Sequence, residues 1–172
     1  MTTKAVSIKT LIWVLATILI VPYIGETQTD TSLSVYLPFD SGSGKEAKDA
    51  TLNENNGQFV GQSDVSWVEG KFNDGIELDG QNYVDIPWSD SIDVSDSSFS
   101  IEIWFQYEEA SSNGVLVWCY DVESGPHAQA WFRTEPSSNR IRGLITDGQS
   151  PSVIVVTTNP YNDGEWHHMA AI

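Results

Sequence analysis

The chain has 172 residues, 24 acidic against 8 basic side chains for a formal net charge of −16, seven tryptophans and one cysteine. This length suits one domain with a sizeable core rather than two, and a surface so negative repels phosphate backbones, which argues against nucleic acid as a partner. A single cysteine, Cys119, excludes an internal disulfide.

The N-terminal residues 1–28 read as a targeting segment. Lys4 and Lys9 precede the apolar run Leu11-Ile-Trp-Val-Leu-Ala-Thr-Ile-Leu-Ile-Val21, which Pro22 ends. The run is short for a membrane span, which needs about 20 residues. Gly25-Glu26-Thr27 is the nearest approach to a small-x-small cleavage site, so a signal peptide that is removed and an N-terminal anchor that is retained both stay open. Either makes the remainder secreted or displayed at the cell surface, and only the anchor makes a membrane a partner. Residues 29–32 form a polar leader, and residues 33–172 form the domain.

Alternation along residues 33–39, with Leu33, Val35, Leu37 and Phe39 on one side, predicts a first strand. Short strands are further predicted at 58–60, 76–78 and 83–86. The last two flank Asp79-Gly80-Gln81-Asn82, a cluster that favours tight reversal and so predicts a hairpin. Asn73-Asp74-Gly75 is a second turn signal, and residues 65–68 are apolar without a clear period. After a polar loop anchored by Ile92 and Val94, residues 99–107 give the clearest strand. Phe99, Ile101, Ile103 and Phe105 share one face there, and Glu102 and Trp104 the other. More strands follow at 115–120, 128–133, 141–146 and 152–157, separated by Gly, Asn, Ser and Pro turns, and a last one starts at Glu165 and runs to Ile172. No stretch of the domain carries the ten or so helix-periodic residues of an amphipathic helix. Strands spaced about ten residues apart without crossover helices describe an all-β, antiparallel two-sheet sandwich. Because an apolar strand stands at the very end, the sequence reads as an incomplete domain.

Six ordered segments carry a family likeness: Tyr36-Leu-Pro-Phe-Asp40, Asn55-Asn-Gly57, Gly70-Lys-Phe-Asn-Asp-Gly75, Leu78-Asp-Gly80 with Tyr83-Val-Asp-Ile-Pro87, Phe99-Ser-Ile-Glu-Ile-Trp104, and Asp163-Gly-Glu-Trp-His-His-Met-Ala170. Together they resemble the laminin-G-like, concanavalin A-like jelly-roll family from about Leu33 to the last residue. The resemblance implies a two-sheet jelly roll that works outside the cell, binds carbohydrate or protein, and often holds a structural calcium ion at its rim. It also implies further strands after the Trp-His-His segment.

Candidate sites follow from both readings. Asp40 matches the family's Phe-Asp position and is the candidate calcium ligand, with turn carbonyls such as those of residues 55–57 as complements; it could equally cap a turn. His167 and His168 are adjacent on a strand and so point to opposite faces, which speaks against a shared metal or general-base site. His127, in a turn, has no evident partner. Cys119 lies in an apolar run and reads as a small buried hydrophobe. Glycoside hydrolysis needs two carboxyls about 5–10 Å apart. Glu102 is the only acid in the strongest strand, and its same-face neighbours Ser100 and Trp104 are not acidic, so the chain reads as non-catalytic. Flat aromatic rings complement pyranose C–H faces, which makes Trp88 and Trp104, with Trp118 and Trp131 behind them, the candidate ligand-binding residues for a glycan; each could instead be core. A glycan or another extracellular protein is the expected partner.

Overall fold

The computed structural model describes residues 31–93, 98–108, 112–120 and 129–172. The targeting segment 1–28, Val94 and His127 lie outside the described residues. The strands are β1 (Glu46–Ala47), β2 (Gly57–Gly61), β3 (Ser66–Glu69), β4 (Asp74–Glu77), β5 (Asn82–Asp85), β6 (Ile101–Phe105), β7 (Val115–Tyr120), β8 (Gln129–Glu135), β9 (Arg140–Thr146), β10 (Val153–Val156) and β11 (His167–Ala171). One turn of 3-10 helix spans Asp90–Ile92, and the described residues contain no α-helix. Hydrogen bonding joins the strands as β1-β2-β5, β3-β4, β11-β6 and β10-β9-β8-β7, with antiparallel neighbours throughout. The chain is an all-β jelly-roll sandwich.

Alternation builds the core. Along β8 the buried positions are Ala130, Phe132 and Thr134, while Trp131, Arg133 and Glu135 occupy the other face. Phe105 of β6, Phe132 of β8 and Ile141 of β9 form the buried cluster, and Ile103, Tyr107, Val117 and Met169 pack around it. The β6–β11 pair therefore covers the inner face of the four-stranded sheet, and each fully buried phenylalanine contributes about 1.5–3 kcal/mol. Polar groups at the edge of this core are satisfied: Tyr107 donates its hydroxyl to the Asn139 carbonyl at 2.7 Å, and the Gly114 amide donates to the Thr134 hydroxyl at 2.9 Å.

Three expectations change. Residues 33–39 form no ladder, because Pro38 lacks an amide hydrogen, Phe39 takes a φ of 57°, and the Tyr36 amide donates instead to the Asp49 carboxylate at 2.9 Å. The hairpin lies one turn earlier than the Asp79-Gly80 signal: β3 pairs with β4, Glu69 opposite Asp74, around a turn in which the Gly70 amide donates to the Asn73 carbonyl at 2.9 Å and Asn73 has a φ of 50°. The Asp79–Asn82 bend carries the chain from one sheet to another, since β5 pairs with β2. Asp79 accepts from the Gln81 amide at 2.8 Å, and buried Asn82 reaches back to Ser63 at 3.1 Å, which pins the crossover to the loop before β3. Cys119 is the third correction. It shares the inward side of the sheet with Ala130, yet its side chain is exposed, although neighbouring atoms push its thiol pKa up.

Candidate glycan-binding surface

Strand β6 turns Trp104 outward because Phe105, one residue on, is held in the core. Its ring is 40% exposed but not bare. Phe72 meets it edge-on at 5.8 Å, the His168 ring tilts against it at 4.9 Å, and Lys71 Nζ stands 5.2 Å from its centroid. His168 is its register partner on β11 and also approaches Glu102, at 3.4 Å. Trp104 thus sits in an exposed aromatic and charged cluster rather than alone as an open platform. The neighbouring His167 faces the core side, against Tyr161 at 4.9 Å and the Asp163 carboxylate at 2.8 Å. Its hydrogen bond, together with the Glu165 amide, holds the Asp163 carboxyl below its ordinary range. The two histidines serve different environments, as alternation requires.

Trp88 follows Pro87 and is 71% exposed immediately before the 3-10 turn. No ring contact joins it to Trp104 among the described residues, so the two do not form one platform. Asp40 is exposed, and its carboxylate accepts a hydrogen bond from the Asn73 side-chain amide at 3.1 Å. This ties the first loop to the β3–β4 turn. Calcium takes six to eight oxygen ligands. Among the described residues no group of three His, Cys, Asp or Glu side chains is placed to hold a metal, so a calcium ion at Asp40 would draw the rest of its oxygens from turn carbonyls and water.

Exposed apolar side chains also line the four-stranded sheet, Trp118, Ile145 and all of β10 among them. Its register aligns Trp118, Trp131, Leu144 and Ile154 directly across β7, β8, β9 and β10, on the face opposite Phe132. Trp118 is 58% exposed, and Arg133 covers one side of Trp131 with its guanidinium 4.6 Å from the ring centroid. A second row on this face brings Arg133 opposite Arg142, with Glu135 opposite Arg140. Sequence reading named the two tryptophans but not the arginines. The signal available was the period-two spacing of Trp131, Arg133 and Glu135, and of Arg140, Arg142 and Leu144, on either side of one turn. A separate open cleft of about 490 Å³ lies above Phe59 and Trp67, with the exposed pair Lys45 and Asp64 at its mouth. Its two rings pack on each other edge-on at 5.7 Å, and the Trp67 indole N–H donates to the Gly44 carbonyl at 3.3 Å.

A laminin-G family profile described as the concanavalin A-like lectin/glucanases superfamily matches residues 78–172, more than half of the chain. The chain belongs to this superfamily. Concanavalin A-like and laminin-G-like domains generally bind carbohydrate or protein and are typically extracellular. No helix among the described residues is long and apolar enough to cross a membrane. No curated protein and no solved structure matches the chain.

Proposed function

We propose that the chain is an exported, non-catalytic binding module whose ligand is carbohydrate. The observation that carries this reading is the outward row on the four-stranded sheet, in which the exposed Trp118 is the direct cross-strand neighbour of Trp131. Paired strands stand about 4.8 Å apart, so adjacent rings on one face offer a continuous apolar strip of the width of a pyranose. Trp88 and the Trp104 cluster supply further exposed rings. Structural calcium at Asp40 belongs to the same proposal and rests on its exposed position beside the β3–β4 turn at Asn73.

A second reading, protein–protein adhesion, is favoured by β10, whose four residues Val153, Ile154, Val155 and Val156 are all exposed. Retention on a panel of immobilised polysaccharides separates the two. The glycan reading expects retention of the wild type and a severalfold weakening in Trp118→Ala, as the loss of one stacking ring requires, with Trp88→Ala as the comparison for the loop tryptophan. No retention on any glycan, with a protein partner lost on Val155→Lys, would replace it by adhesion.

A further inference from the structure

The chain contains three arginines, Arg133, Arg140 and Arg142, and the β8–β9 register brings all of them to one face. The face is the outward one, since Phe132, Thr134 and Ile141 alternate with them and are buried. Arg142 Nη1 lies 3.1 Å and Arg133 Nη2 3.5 Å from the same oxygen of Glu135. Both guanidiniums hold the Glu135 carboxyl below its ordinary pKa, so it stays ionised with them. Within β8 and β9 the charged residues are these three arginines and Glu135, a surplus of two positive charges in a chain of net charge −16. One carboxylate cannot occupy the five N–H donors that each guanidinium carries. The Nε of Arg133 and of Arg142 is buried with no hydrogen-bond partner, so the groups left for an anion are the Nη donors not turned to Glu135, on side chains that are 29% and 33% exposed.

We propose that this face binds an acidic saccharide, with a pyranose ring on the Trp118–Trp131 row and its carboxylate or sulfate group on the Arg133–Arg142 pair. The inference rests on the carbohydrate reading above and names its ligand class. Charge complementarity selects the occupant. Repulsion from the acidic remainder is screened beyond about 8 Å at physiological ionic strength, so a short anionic group on the patch feels mainly the arginines.

The test is binding of the full chain to immobilised polygalacturonate, dextran sulfate and unmodified dextran at about 0.15 M salt. Retention is expected on at least one acidic polymer and to a lesser degree on dextran; which acidic polymer is retained tells carboxylate from sulfate. Arg142→Gln should weaken that retention about tenfold or more, the usual worth of a hydrogen bond to a charged group, while Lys48→Gln, an exposed cation outside the patch, should leave it unchanged. Arg142→Lys, which keeps the charge and loses the planar fork, should fall between them and serves if Arg142→Gln does not fold. Equal retention on dextran with no effect of Arg142→Gln would overturn the acidic class and leave the carbohydrate reading standing; no retention on any polymer would overturn both. Concentration-dependent self-association abolished by Arg142→Gln would show that the patch meets a second copy's acids, and would also overturn the proposal.

Discussion

Asp49 is the residue on which the N-terminal part of the domain turns. Its carboxylate accepts from the amides of Tyr36, Thr51 and Asn55, each at 2.9 Å, and from the Thr51 hydroxyl at 2.7 Å. Asn55, itself buried, donates to the Ser34 carbonyl at 2.8 Å and accepts from Ser89 at 2.6 Å. Three loops are thus held by side chains where a strand was expected. Partial burial raises the Asp49 pKa, but the four donors outweigh it and the carboxyl sits below its ordinary value. A depressed folded-state pKa stabilises the fold fully above the unfolded value of about 3.9 and ceases to do so as pH falls through the folded value. Asp49→Asn turns an acceptor into a donor facing other donors and is expected to cost about 1–3 kcal/mol at neutral pH. Urea unfolding of both proteins should show that difference shrinking as pH drops below about 4; a constant difference would remove the ionised carboxylate from the account. None of this was legible in the sequence, where Asp49 and Asn55 look like any turn formers. Trp88 and Trp104 were legible as candidates because Pro87 and the β6 alternation fix their direction, but the rings crowding Trp104 come from a distant turn and from β11.

At the scale of the element, strand positions were read well and strand partners poorly. Period-two patterns placed β6 to β11 within a residue or two, since each needs only its own alternation and bounding turns. Pairing depends on where a turn sends the chain. Asp79-Gly80 and Asn73-Asp74-Gly75 look alike in sequence, yet one closes a hairpin and the other leads between sheets because Asn82 bonds to Ser63 and the Asp64 carbonyl. The four-stranded sheet depends on a close approach at Gly143: a Cβ there would stand 2.5 Å from the Phe132 ring and 3.1 Å from Val155. Gly143→Ala should therefore overpack the core side and destabilise by about 1–3 kcal/mol. Guanidinium unfolding would show this as a lower midpoint, and an unchanged midpoint would mean that Phe132 can move aside.

At the scale of the molecule, the likeness read from short ordered motifs agrees with the superfamily to which the chain belongs, whose profile covers the three motifs from Leu78 onward. The jelly roll was legible because its turns are written in Gly, Asn and Asp; the binding face was not, because it arises from cross-strand register. The proposed calcium ion would act on the stability of the whole domain. Metal bound at Asp40 would stabilise the folded state by mass action, by about 2.7 kcal/mol at a hundredfold excess over its Kd. The melting temperature of the wild type should then rise with calcium and that of Asp40→Ala should not, while an equal rise in both would take Asp40 out of the site.

Strand β10 gives the net charge a further role. It edges its sheet, contains no charged residue, and exposes all four of its β-branched side chains. Edges of this kind are usually kept from zipping to one another by a lysine, a proline or a bulge within the strand. Here the work falls to the bulk charge, which salt screens beyond about 8 Å and which vanishes near the isoelectric point of about 4.2. Colloidal stability is therefore expected to be lent to this protein by its medium: dilute, neutral surroundings should keep its copies apart and rising salt should let β10 edges meet, which light scattering against salt concentration would show.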